Sequence, residues 1–455
     1  MTYPNTFLTR RLRRAIMIGL IAIFSISAPM LIFYTIGYRI DFRTFHVQQT
    51  GVVSITIRPA DANIFINALP VSSKKIGIFS GETSARITNL KPGAYRIRIE
   101  KEGYYPWEKE MPVESTQTTY IRDLSLMKKA SPVRLNFFSA TTTPEHVVFS
   151  HDGQYAMAQQ QTETGITVDL IDFSKRPPKR IPVSTTAGTA PFSLSWSWSG
   201  HYGLIGEMEK DIVSSTIFSA KNPAITATVT TTKSAHVSQW PKQKTEQGVY
   251  IQKEDMIQRI NTLSEKNIAI SSSSIWYVDD HQTVFSYAPE KNVLERSPKN
   301  QSAIYLEEEI DQIIDINDNR LIAHGPAGVM IFSRSNGIDI QGKKTVAVDS
   351  WYYNPFVSEW VLWSPWELWN IYENGSLALF NRTSEPMKDV KALDIHGALF
   401  IAKENALIAF HPDYHMSQTV LSDVRIESFG VDVKKRIIYF FGEVNKEQGI
   451  FELAY

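Results

Sequence analysis

The chain has no cysteine, no surplus of either charge, and almost no helical periodicity after its first forty residues. Without cysteine, disulfides, zinc–thiolate centres and thiol nucleophiles are excluded. The folded state must then be held by core size, which a 455-residue chain with 43% hydrophobic residues can supply. With 47 basic and 47 acidic residues the net charge is zero. That balance argues against a nucleic-acid partner and against broad electrostatic steering. There is no Gly-x-Ser-x-Gly elbow, no His-Glu-x-x-His pair and no glycine-rich phosphate loop. A triad assembled from distant positions would leave no such signature. The sequence predicts no enzyme and no cofactor.

Charge is also missing from one segment altogether. Ala15 to Tyr38 carries none, and Arg10, Arg11, Arg13 and Arg14 precede it without an acid among them. As a helix this run spans roughly 36 Å, enough for a hydrocarbon core of about 30 Å. Arg39, Asp41 and Arg43 nearly balance on the far side. The positive-inside bias therefore predicts a cytoplasmic tail (1–14), a membrane helix (15–38) and an extracytoplasmic remainder, a single-pass protein of the cell membrane. Arg10, Arg11, Arg13, Arg14 and Arg39 flank the anchor, and the N-terminal four would meet anionic lipid at about 1 kcal/mol each. A cleaved leader is the rival reading, but its h-region is about 7–15 residues long. The small-residue candidate Ser25-Ile26-Ser27-Ala28 also places Pro29 directly after the cut. A buried globular helix is the third reading.

Residues 51–126 read as a small all-β unit. Val53, Ile55 and Ile57 alternate with Ser54, Thr56 and Arg58, as Tyr95, Ile97 and Ile99 do with Arg96, Arg98 and Glu100. Leu90-Lys91-Pro92-Gly93 reads as a type II turn with Gly93 at positive φ. The order Gly51-Val52-Val53-Ser54-Ile55, Ala62-Asn63-Ile64-Phe65-Ile66-Asn67, Leu90-Lys91-Pro92-Gly93-Ala94-Tyr95 and Lys101-Glu102-Gly103-Tyr104-Tyr105-Pro106-Trp107 resembles the PEGA domain. That is a β-sandwich module of bacterial and archaeal surface proteins. The segment departs from the family where Pro59-Ala60-Asp61-Ala62 lacks its glycine. From the strand pattern alone, a fibronectin-like or carboxypeptidase-regulatory-like sandwich remains open. The resemblance implies a spacer or wall-contacting adaptor without chemistry of its own.

Residues 127–145 read as a linker carrying a candidate first strand of the next domain. Over 146–455, short strands and turns recur. Phe149-Ser150-His151-Asp152-Gly153-Gln154-Tyr155 aligns with Trp196-Ser197-Trp198-Ser199-Gly200-His201-Tyr202, and looser copies follow. Such repetition, at roughly 40–50 residues, predicts a β-propeller of about seven or eight blades. Closure would pair Val133-Arg134-Leu135 with Ile450-Phe451-Glu452-Leu453, leaving no open edge. Stacked sandwiches are the alternative. The Asp-Gly turn of the first copy resembles those of TolB-type propellers.

Five tryptophans fall within 351–369. Trp366 and Trp369, beside a proline turn, form a candidate ligand platform for sugars, though stacking within a core accounts for most of the group. Glu307-Glu308-Glu309 reads as a solvated face. Asp315-Ile316-Asn317-Asp318-Asn319 begins like a calcium loop but has Arg320 where glycine is required and Pro326 in place of the bidentate glutamate. His411-Pro412-Asp413-Tyr414-His415 reads as a surface turn. His151 and His201 sit at neighbouring positions of the two matching turns. The expected function is membrane-anchored binding or scaffolding in a bacterial envelope, contacting envelope proteins or cell-wall glycans. A propeller-type hydrolase or lyase on envelope polymers is the alternative.

Overall fold

The computed structural model describes residues 10–35, 38–41, 46–72, 74–76, 81–138, 143–163, 165–186, 193–232, 238–242, 248–262, 264–271, 273–297, 303–335 and 339–455. The chain divides into two compact units, Met1–Lys129 and Ala130–Tyr455.

In the first unit, α1 spans Arg10–Thr35 with Pro29 inside it. The helix begins earlier than the charge-free run, because the arginines add a helical turn. It also stops short of Tyr38, which opens the strand Tyr38–Asp41 paired with His46–Gln49. The apolar side chains of α1 are exposed from Ile16 to Tyr34, so no described part of the protein covers them.

Residues 51–125 form two four-stranded sheets. In one, Gly51–Arg58 runs between Thr118–Ser125, its parallel neighbour, and Glu82–Leu90, its antiparallel one. In the other, Gly93–Glu100 lies between Asn63–Ile66 and Trp107–Val113. The period-2 pattern puts Val53, Ile55, Ile57, Ile97 and Ile99 in the core. Two turn details differ from expectation. Gly93 does take a positive φ, as expected, but at +155° it starts a strand and is far from the roughly +80° of a type II turn. The missing family glycine is replaced by Asp61 at φ +62°, and a short polar side chain tolerates that region.

The second unit contains eight four-stranded antiparallel sheets among the described residues. Sheets one to seven run through residues 146–186, 193–232, 238–270, 276–305, 312–346, 350–382 and 387–422, each a meander in chain order. Sheet eight combines Val424–Asp432, Ile437–Val444 and Glu447–Ala454 with Val133–Leu135 from the start of the unit. Val133 lies opposite Glu452 and Leu135 opposite Ile450, the pairing expected from position.

Successive sheets share cores. Val168 and Leu170 of sheet one pack with Trp196 and Phe218 of sheet two. Trp360 and Leu362 of sheet six meet Ile322 and Ile331 of sheet five, whereas Val361 and Trp363 on the opposite face meet Val390 and Phe410 of sheet seven. Phe400 of sheet seven contacts Tyr455 edge-on at 4.9 Å. Tyr439 and Phe441 of sheet eight then pack with Ala156 and Ile171 of sheet one. The tryptophan-rich strand is thus a partition between two cores, which is why it alternates large apolar residues on both faces.

Candidate functional site

Turns between first and second strands build the site. In sheet one, Ser150 Oγ donates to Asp152 Oδ1 at 2.7 Å and accepts from the Tyr155 amide at 3.0 Å. Gly153 (φ +66°) must be glycine, because a Cβ there would lie 2.3 Å from the Val431 carbonyl carbon of sheet eight. Sheet two repeats the device: the Tyr202 amide donates to Ser197 Oγ at 3.1 Å, and Gly200 (φ +74°) presses against Asp152 of sheet one. The first turn therefore leans on sheet eight and the second on sheet one, and the residues at equivalent positions, His151 and Trp198, come together.

These turns, with those of sheets six and eight and Lys242 after the first strand of sheet three, enclose a cavity of about 300 Å³. Its apolar wall is Trp198, Pro355 and Phe356, and its polar groups include His151, Asp152, His201 and Asp432. His151 stacks on Trp198 at 4.6 Å and 22° and leans on Tyr352 at 6.0 Å. Trp198 meets Trp360 and Tyr353 edge-on, each at 5.8 Å. Burial, aided by the Lys391 charge, pushes the His151 imidazole down to about 3. Its Nδ1 is buried without a hydrogen-bond partner, whereas Oδ2 of Asp432 faces Lys435 Nζ at 3.5 Å. Burial raises the Asp152 carboxyl, and nearby Asp432 adds to this against the hydrogen bonds from Ser150 and Gln154.

Below the cavity, Lys242 Nζ ion-pairs with Asp315 and lies over the rings of Tyr353 at 5.3 Å and Trp360 at 5.4 Å. Asp315 also accepts from Trp360 Nε1 at 2.8 Å and pairs with Arg320 at 3.3 Å. The calcium-loop imitation is accounted for here: strand alternation turns Asp315 inward to two cations.

The imidazole of His151 gives a pH prediction. Its folded value lies far below the ordinary 6.5, so the unfolded chain binds the proton first. Stability from this group should be complete above about pH 6.5 and fall as pH drops toward 3. Urea titrations at several pH values should show that slope in the native chain and a flatter one in His151→Phe. An equal slope would mean His151 is not held neutral.

Trp366 is 52% exposed, at the opposite end of the strand Glu359–Trp363 from the cavity turn. Trp369 is half-buried, and its indole N–H donates to Glu367 at 3.0 Å. Neither lines the cavity. His411, expected on the surface, is buried, because it ends the strand Ala406–His411 rather than lying in the turn. Glu307 and Glu309 are exposed, and Glu308 pairs with Lys343. Arg11, Arg13 and Arg14 are exposed on α1, whereas the side chains of Arg10 and Arg39 lie outside the described residues. The cavity itself was missed. The available signal was the pair His151 and Trp198 at matching turn positions.

Residues 50–130 match the PEGA domain. The PEGA match covers the two-sheet module of the first unit and none of the eight sheets. No curated protein matches the chain. Among solved structures, Sqt1 from Saccharomyces cerevisiae is similar at 12% identity and a TM-score of 0.47, covering 70% of this chain and 98% of its own. Apo AztD from Citrobacter koseri gives 12% and 0.41, with 66% and 94% covered. The uncharacterised protein lmo1340 from Listeria monocytogenes EGD-e gives 12% and 0.40, with 64% and 98% covered. At these scores nothing is carried over from those proteins to this one.

Proposed function

We propose that this chain is a single-pass membrane protein of the bacterial envelope that displays its PEGA module and an eight-bladed β-propeller outside the cytoplasm as a binding scaffold. Its partner is an envelope protein or a cell-wall glycan. The propeller reading is carried by one observation. Side chains from sheets one, two, three, five and six (His151, Trp198, Lys242, Asp315 and Trp360) meet in one cluster. In a linear stack each sheet reaches only its neighbours, whereas a ring brings all of them to a common axis. The pairing of Val133–Leu135 with the last strand and the shared core of sheets eight and one support closure. Loops on a rigid scaffold suit contact rather than assembly alone.

Anchoring is supported by α1. Within Arg11–Thr35 an 18-residue stretch has a mean hydropathy of 2.4 and is covered by no described part of the protein. Lipid would cover its exposed apolar side chains, and the helix satisfies its own backbone hydrogen bonds. The chain should therefore stay with membranes at full length after alkaline carbonate washing. Release of a shortened, soluble product starting near Pro29 would establish a cleaved leader instead.

A further inference from the structure

We propose that the cavity bounded by His151, Trp198, Lys242, Phe356 and Asp432 binds one neutral, hydroxyl-rich ring, a sugar unit of a glycan. The proposal rests on the scaffold reading above and deepens it by naming the ligand's chemistry and its site.

Size comes first. At about 300 Å³ the cavity lies at the lower end of small-molecule pockets, room for one ring rather than a chain. Charge comes second. Lys242 and Lys434 in the lining are matched by Asp152 and Asp432, so the lining presents no surplus charge to hold a phosphate or an ammonium group.

The third argument is an orphaned atom. His151 Nδ1 belongs to a residue lining the cavity and is buried with no hydrogen-bond partner. Buried polar atoms are normally paired, so it calls for a partner supplied from the cavity. A hydroxyl group serves that need, since it donates and accepts. The fourth is the rim, where Phe356 is 39% exposed beside Pro355. An uncovered aromatic ring suits the apolar C–H face that a pyranose presents on one side.

The test uses the full-length chain in detergent micelles, with binding followed by calorimetry. The probes are the neutral trisaccharides chitotriose, maltotriose and mannotriose, with inorganic phosphate and trilysine as charged controls. At least one trisaccharide should bind saturably. Phe356→Ala should weaken that binding about tenfold or more, through loss of one ring-stacking contact. Trp366→Ala should leave it unchanged. Near-UV circular dichroism confirms that each variant is folded. The proposal is overturned if no trisaccharide binds, if only phosphate or trilysine binds, or if Trp366→Ala rather than Phe356→Ala abolishes binding. Membrane retention after carbonate washing is independent of these results, so loss of the ligand proposal leaves the anchored scaffold standing.

Discussion

Replacing Asp315 with asparagine should lower the stability of the second unit by about 3–5 kcal/mol. The carboxylate is 1% exposed and stands between Lys242 and Arg320, themselves 14% and 3% exposed. Forming such a cluster gives little net stabilisation, because all three charges are desolvated. Removing the shared anion is another matter, since two buried cations then face each other uncompensated. Lys242→Met should cost less, because Arg320 still neutralises Asp315. The acid limb follows from the carboxyl's own position. Burial pushes it up, but the charges of Lys242 and Arg320 and the Trp360 N–H outweigh burial and hold it below the ordinary carboxylate range. A depressed folded value means the contribution is complete above about pH 4 and is lost as pH falls through the folded value. The gap between native chain and Asp315→Asn should accordingly narrow in acid. Tryptophan emission during urea unfolding measures it, since nine of the ten tryptophans lie in the second unit and only Trp107 outside it. A cost below about 1 kcal/mol would remove the cluster from the account.

Removal of residues 447–455 should abolish cooperative folding of the second unit. This strand pairs with Ile437–Val444 on one side and Val133–Leu135 on the other. It buries Ile450, Phe451 and Leu453. Three such side chains at roughly 1.5–3 kcal/mol each approach the whole stability of a domain, about 5–15 kcal/mol. The location of the damage is more informative than its size. No tryptophan belongs to sheet eight or sheet one; they lie in sheets two, three, four and six or in their adjoining turns. In a closed ring those distant indoles lose their native near-UV signal along with the last strand. In an open array they keep it, because each sheet depends only on its neighbours.

Much of the architecture was legible because it is written in local patterns. The charge-free run announces α1, the alternation of Val53, Ile55 and Ile57 announces the sandwich, and the paired Ser-x-x-Gly turns announce repeated hairpins. Even the partner of Val133–Leu135 follows from the need to cover an edge. The cavity was not legible. Lys242 and Asp315 are 73 positions apart, and Asp315 and Trp360 are 45 apart, with no local pattern linking them. Their meeting depends on where each turn points after the sheets have packed. Trp366 and Trp369 drew attention through crowding, yet that crowding arises because Trp360 and Trp363 serve opposite cores of one strand. His411 misled in the same way, since its neighbour Pro412 marks the turn while the histidine still belongs to the strand.

The absence of cysteine allows the central claim to be tested site by site. Single cysteines introduced as Thr6→Cys and, at an exposed position of the second unit, as Glu404→Cys are treated on intact cells with a membrane-impermeant maleimide. An anchored, outward-facing scaffold requires Glu404→Cys to react at once and Thr6→Cys only after lysis. Protection of Glu404→Cys on intact cells in which an outer-surface control is labelled, or reaction of Thr6→Cys before lysis, would contradict it.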